Sequence, residues 1–579
     1  MPRGILPQVA TCISYEEFSG DKTTGEDFSA WLARFARMPV VYAACVINVL
    51  LETWSGSINS EAHEALVRDA FFPDDAHKLL ELLELCKTPG NQRFVFHRLQ
   101  VLLVAKEALL HCPEDGINPF KTPNWGGLGI AFLMASDLTY REFPSPKTRE
   151  EQVLQALAQT IPVTEYSSRY NLGNRVARYH LMLSRFTRGS VGQSDLDIGA
   201  EFHRVTGLDP RLFASLCVGV MSHYIASDYR KLRGGETGLT ILPTFFDSAA
   251  VSKTSIDLFL NEIAAPLDKV SEELQEKKPG LLDMTVLRSW PLWVYPDGGV
   301  FAPDIRFVIE KLESGIFWRV HNSLPDRKRS ALHQLWGETF ERYVNWMLQD
   351  AVDPKVNLFY PSPKYRRTGV EACDGIIVCG NEAILLEYKG RTFRSQAKYG
   401  MDVANLSEEI EEHLIGSETK PKGVAQLANA IKKLFDPCSQ VELDNVDLSN
   451  VRKVFPVLVT RDDLGGCFGM SHYLNIRFQK LINKKRYKRL TVTPMFCMSV
   501  EALEVISAYL AKAKISKILE AWYQNDPGLY ASFLAIPNNT LAALGDLENK
   551  SLNSTFMGIM NETKSTFFPE GTISSHPEE

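Results

Sequence analysis

Two short apolar runs, GIIVC (375–379) and EAILLEYK (382–389), are separated by the single pair Gly380-Asn381. Such a pair between strand-like runs is a two-residue hairpin signal. No other stretch leaves the chain less freedom, because a two-residue loop fixes the register of the strands as well as their direction. With Gly380 and Asn381 at the turn, Cys379 opposes Glu382 and Asp374 opposes Glu387. A four-residue loop from 379 to 382 gives the same pairing, whereas a three-residue loop separates the acids. Alternation along the strand puts Lys389 on the face of Glu387. Directly opposed side chains lie about 5 Å apart at Cβ, where like charges destabilise the pair. A hard divalent cation is one remedy, since magnesium takes carboxylate oxygens and keeps waters and substrate phosphate in its other positions. The plain alternative is that Lys389 bridges the two acids at the solvated end of the hairpin.

The segments around the hairpin carry further polar groups. In ALHQLWGETFERYVNWMLQDA (331–351) the helical period sets Leu332, Trp336, Phe340, Tyr343 and Met347 on one apolar face. Glu341 falls at the edge of that face, and Gly337, one turn earlier on the same side, leaves space beside it. Glu338 is expected on the opposite, solvated face with Arg342, Asn345 and Gln349. Gln426 sits in a second predicted helix, GVAQLANAIKKLF (423–435).

The pattern of the chain changes near residue 325. Before it, segments such as DDAHKLLELLELC (74–86) and RLFASLCVGVMSHYIASDYRKL (211–232) have helical periodicity and are split by Gly-, Pro- and Asn-rich loops. SLPDRKRS (323–330) reads as a linker. After it, strand-like runs at 356–360, 373–379, 382–389, 454–460 and 490–499 alternate with helices. The expected organisation is α plus α/β. A mainly helical region over 1–325 serves regulation, recognition or partner binding. An α/β domain follows over 326–515, with a central mixed sheet flanked by helices. A C-terminal helix and polar tail occupy 516–579, loosely ordered from about 535.

Charge follows the same division. The chain carries 63 basic and 70 acidic residues, a net −7. Residues 331–500 hold 23 basic against 20 acidic, leaving 40 against 50 elsewhere, so a polyanion partner is expected in the later region. RFQKLINKKRYKR (477–489) supplies Lys480, Lys484, Lys485, Arg486, Lys488 and Arg489 without an acid, a run suited to phosphate contacts through counterion release. Arg366, Arg367 and Arg391 flank the hairpin as further phosphate contacts.

Taken in order, Gly337-x-x-x-Glu341 on a helix, Asp374, Glu387-Tyr388-Lys389 and a helical Gln426 resemble the PD-(D/E)xK nuclease superfamily over roughly residues 331–500. The helix–strand–strand–helix–strand order matches as well, while Cys373 stands where that pattern often has proline. The resemblance implies a PD-(D/E)xK-like nuclease domain hydrolysing phosphodiester bonds with magnesium or manganese. It implies that Asp374, Glu387 and the Tyr388 carbonyl hold the metal and that Glu341 completes the shell. Lys389 would orient the attacking water. Gln426 would hydrogen-bond around that water or a phosphate. The expected activity is that of a DNA endonuclease, and by analogy with large bacterial proteins of this layout a role in restriction or anti-phage defence. Two alternatives stay open: a catalytically inactive nuclease-like subunit that binds nucleic acid or scaffolds a complex, and a repair or recombination nuclease.

Other classes are disfavoured. There is no GxxxxGK[ST] phosphate loop, so ATP dependence would come from a partner chain. The helical region could equally mediate a homodimer. Ten cysteines without a CxxC pair read as reduced thiols rather than a zinc module. The start lacks a secretory h-region, and VVYAACVINVLL (40–51) is too short to span a bilayer. A cytoplasmic protein without membrane contact is expected.

Overall fold

The computed structural model describes residues 11–53, 61–85, 93–167, 171–187, 196–225, 239–247, 249–295, 297–417, 419–436, 441–482, 489–536 and 538–567. The chain divides into two compact units that interleave in sequence. The first comprises 1–7, 143–197 and 325–556; the second comprises 8–142, 198–324 and 557–579. One division falls at residues 324–325, and residues 143–197 belong with the later segment.

The first unit is built on a six-stranded mixed sheet. Among its elements are α1 (Arg149–Ser167), α2 (Leu172–Arg185), α3 (Asp326–Ala351), β1 (Leu358–Pro361), β2 (Gly375–Cys379), β3 (Glu382–Lys389), α4 (Gly423–Phe435), β4 (Lys453–Thr460), α5 (Met470–Leu481), β5 (Thr491–Val492), β6 (Phe496–Ser499), α6 (Val500–Ser507) and α7 (Ile515–Asn525). The order is β5-β4-β3-β2-β1, with β6 also on β4. The β1–β2 and β2–β3 pairs are antiparallel; β4 runs parallel to β3, β5 and β6.

The hairpin forms in the register its loop dictates. Cys379 pairs with Glu382 and Gly375 with Leu386. The Asp374 amide donates to the Leu386 carbonyl at 3.1 Å, one residue out of that register, so the regular pairing ends at Gly375–Leu386 in a β-bulge and Asp374 does not stand directly opposite Glu387 as expected. Gly380 has φ +74°, the conformation a hairpin turn with glycine first in the loop requires.

The run 490–499 is expected as one strand but is broken in two. The cause is two prolines. The Val454 carbonyl accepts from the Thr493 amide at 3.0 Å, so by alternation Pro456 turns the same edge outward. It has no N–H to offer there, and Pro494 lacks one on the other side. Pairing lapses between Val492 and Phe496 and resumes at Val457.

One face of the sheet presents Ile376, Ala383, Leu385, Val454, Leu458 and Cys497 to a single core. Val424, Leu427 and Ile431 of α4 and Leu474 and Phe478 of α5 fill it, together with Val153, Leu154, Leu157, Ala158 and Ile161 of α1. Full burial of one such aliphatic side chain stabilises by about 1.5–3 kcal/mol, so α1 is an integral layer of this unit. Helix α3 begins at Asp326, inside the expected linker, and buries all five residues of its predicted apolar face. The C-terminal part is more regular than expected. Trp522 of α7 packs against Phe496 at 5.3 Å, and Lys550–Phe567 is a helix.

The second unit is mainly helical, as expected of its composition. It adds a two-stranded pair, Thr11–Cys12 with Arg93–Phe94, and a three-stranded sheet of Ala264–Pro266, Leu292–Val294 and Val300–Phe301. The apolar stretch 40–51 lies within the helix Arg37–Thr53. Among the described residues no helix is long and apolar enough to cross a membrane. The eight described cysteines are unpaired, and seven are buried.

Candidate metal-dependent active site

The sheet and two helices bring the predicted residues together. Residues 383, 385, 387 and 389 share a face of β3, so Glu387 and Lys389 continue the face whose core lies under α4. Glu387 is 1% exposed. Its Oε1 accepts from Lys389 Nζ at 2.7 Å, and Lys389 Nζ also donates to Gln426 Oε1 of α4 at 3.0 Å. Glu387 Oε2 is buried without a hydrogen-bond partner among the described residues. Such an orphan is costly unless another group supplies the missing interaction.

Asp374 reaches across from the start of β2. Its Oδ2 accepts from the Tyr388 amide at 2.5 Å. Glu341 of α3 joins it, as does Glu371, which the sequence reading did not include. One carboxylate oxygen from each of Glu341, Glu371 and Asp374 lies within 4.8 Å of the others. This crowding is visible in the acid strengths. The Asp374 carboxyl is pushed up to about 8, first by burial and then by Glu387, against the opposing pull of Lys389. The Glu371 carboxyl is likewise raised to about 8, by partial desolvation and then by Glu341 and Asp374. Burial also raises Glu387, with Lys389 acting in the opposite direction.

A second set of contacts fixes the frame. Ser362 Oγ donates to Glu341 Oε1 at 2.9 Å, and Ser362 is held at φ +42°, a region that costs a non-glycine residue energy. Its amide donates to the Asp374 carbonyl at 3.0 Å. Asn345, expected on the solvated side of α3, instead accepts from the Tyr388 hydroxyl at 3.2 Å. Gly375 makes room for that ring: a Cβ there would lie 2.8 Å from the Tyr388 hydroxyl oxygen. Gly337 has open space beside it, and its Cα lies 3.4 Å from where a Cβ on Gly390 would stand, so α3 passes close to the end of β3. Glu338, expected on the solvated face, is half-buried and pairs with Arg342 at 3.0 Å.

The expected phosphate contacts divide three ways. Lys484, Lys485, Arg486 and Lys488 lie outside the described residues. Lys480 is ion-paired with Glu150 of α1 at 2.7 Å, and Arg366 pairs with Glu442 and approaches Asp444 at 3.7 Å. These two are already partly neutralised, which reduces the counterions that a phosphate contact would release. Arg367, Arg391 and Arg489 are exposed.

The donor set consists of hard oxygens, one of them a buried orphan, beside a lysine held in place. Oxygen donors of this kind suit a hard divalent cation better than a thiol- or imidazole-preferring metal. No family model, curated protein or solved structure matches the chain.

Proposed function

We propose that this chain is a magnesium- or manganese-dependent nuclease of the PD-(D/E)xK type that cleaves DNA endonucleolytically. The observation that carries the reading is the contact of Lys389 Nζ with both Glu387 and Gln426, on a hairpin whose Tyr388 amide holds the Asp374 carboxylate. Glu387 and Gln426 meet on one lysine, beside one orphan carboxylate oxygen.

Each residue has a role that its surroundings support. Asp374 and Glu387 would hold the cation, with Glu341 from α3 and the Tyr388 carbonyl completing its protein ligands. When bound, the cation polarises the scissile phosphate and lowers the pKa of a water. Lys389 has three N–H donors, and Glu387 and Gln426 use two. The third is available to the attacking water or a non-bridging phosphate oxygen. Its positive charge opposes the charge that develops there as the bond to the leaving oxygen breaks. Gln426 acts through Lys389, fixing the ammonium with a carbonyl acceptor that cannot take its proton.

The test is incubation of the purified full chain with labelled double- and single-stranded DNA and RNA, in magnesium and in EDTA. Cutting of DNA that needs magnesium and disappears in Asp374→Ala is expected. Cutting that survives Asp374→Ala would remove this site from the reaction. Preferential cutting of RNA would retain the chemistry and overturn the substrate.

A further inference from the structure

Arg461 follows the last residue of β4 and is 8% exposed. A buried guanidinium is ordinarily paired with a carboxylate. Among the described residues none pairs with this one; Asp462, next in the chain, acts on it at longer range. Its donors go instead to the segment that leaves β3. The main-chain amide donates to the Lys389 carbonyl at 3.0 Å, Nε to the Gly390 carbonyl at 2.8 Å and Nη2 to Thr392 Oγ1. Nη1 donates to the Tyr179 hydroxyl of α2 at 3.4 Å, and the guanidinium carbon stands 5.5 Å from the centroid of the Trp336 ring of α3. Trp336 precedes Gly337, the point at which α3 passes Gly390. One planar side chain therefore fixes the end of β3 against two helices, one of which carries Glu341.

Resting on the reading that Lys389 serves phosphodiester cleavage, we propose that Arg461 is a positioning residue that acts through Lys389, by the geometry of its fork and not by its charge. Lys389 is the last residue of β3, so the strand ladder holds its chain on one side only. On the other side the chain is held by Arg461. Glu387 and Gln426 take two of the Lys389 N–H groups, and the position of the Lys389 backbone decides where the third points. A displacement of about 1 Å at a reacting group costs on the order of 10²-fold in rate. A guanidinium prevents it by presenting donors in a rigid plane, whereas a lysine at the same place has one flexible ammonium for three directions.

The experiment compares magnesium-dependent plasmid cutting by the full-length parent, Arg461→Met, Arg461→Lys, Lys389→Met and the Arg461→Met/Lys389→Met double variant, with manganese occupancy measured on each. The same samples are treated with trace acetic anhydride, and modification of Lys389 is read by mass spectrometry. Arg461→Met is expected to keep its metal and its KM while kcat falls about 10- to 100-fold, and Arg461→Lys to fall as far. In the Lys389→Met background the Arg461 substitution is expected to change the rate by less than about 2-fold, because the group it positions is gone. Lys389 is expected to acetylate faster in Arg461→Met than in the parent. If Arg461→Met does not fold, Thr392→Val, which removes one partner at nearly constant shape, carries the same comparison with the same expected signs. An unchanged kcat, an equal loss in both backgrounds or recovery by Arg461→Lys would overturn the proposal and leave the nuclease reading standing. No cutting by the parent would overturn the nuclease reading, and Lys389 acetylation unchanged by Arg461→Met would overturn the positioning as well.

Discussion

Glu387 is buried with one oxygen bonded to Lys389 and the other without a partner among the described residues, and burial together with Glu387 raises the nearby Asp374 carboxyl to about 8. A fold does not retain such groups for stability, so removing one should help the metal-free protein. In EDTA, Asp374→Asn keeps an acceptor for the Tyr388 amide and loses the repulsion; its guanidinium midpoint should rise, by about 0.5–2 kcal/mol of stability. The pH dependence has a definite sign. Unfolded carboxyls ionise near 4, whereas Asp374 and Glu371 in the folded chain are both raised to about 8. Between those values the native state binds more protons. The contribution of these groups to stability is therefore full below about pH 4 and is lost progressively as pH rises toward 8. Denaturation of the metal-free parent between pH 5 and 8 should show this fall, and Asp374→Asn a shallower one. Saturating magnesium should counter it, because a ligand that binds only the folded chain stabilises it.

At the scale of elements, the hairpin is the unit on which the site depends. Gly375→Ala would place a Cβ 2.8 Å from the Tyr388 hydroxyl and 2.9 Å from Phe359. It should destabilise the first unit by about 1–3 kcal/mol, seen in a denaturant melt, and weaken the Tyr388–Asn345 bond. What was legible in the sequence follows the range of the forces involved. The register from Cys379–Glu382 to Gly375–Leu386 was readable because a two-residue loop sets it locally, and Gln426 because its helix has a clean period, whereas the bulge that shifts Asp374 off that register had no local signal. Asn345 was misread as solvated because its partner, the Tyr388 hydroxyl, is presented by a strand 43 residues away. Glu371 left only a faint signal, a third acid three residues before Asp374, and its approach to Glu341 depends on how the loop after β1 folds back. The split of 490–499 had a visible cause in Pro456 and Pro494, but its effect depends on which edge of β4 each proline meets.

At the scale of the molecule, the interleaving of the two units was not legible at all, because nothing in the amphipathic pattern of α1 says which surface covers its apolar face. Leu157, fully buried in the sheet core more than 200 residues before β2 and β3, makes that placement testable. Leu157→Ala should cost about 2–5 kcal/mol, and the loss should appear as faster amide exchange in β2 and β3 rather than within an independent N-terminal domain. The claim about the whole chain is that this sheet unit does chemistry and does not merely bind metal. The most direct measurement is magnesium-dependent nicking of supercoiled plasmid by the parent and by Lys389→Met, with manganese occupancy measured on the same samples. The account predicts that Lys389→Met keeps its metal and loses at least about 10²-fold in cutting rate. Equal cutting by both proteins, or metal binding without cutting in either, would contradict it.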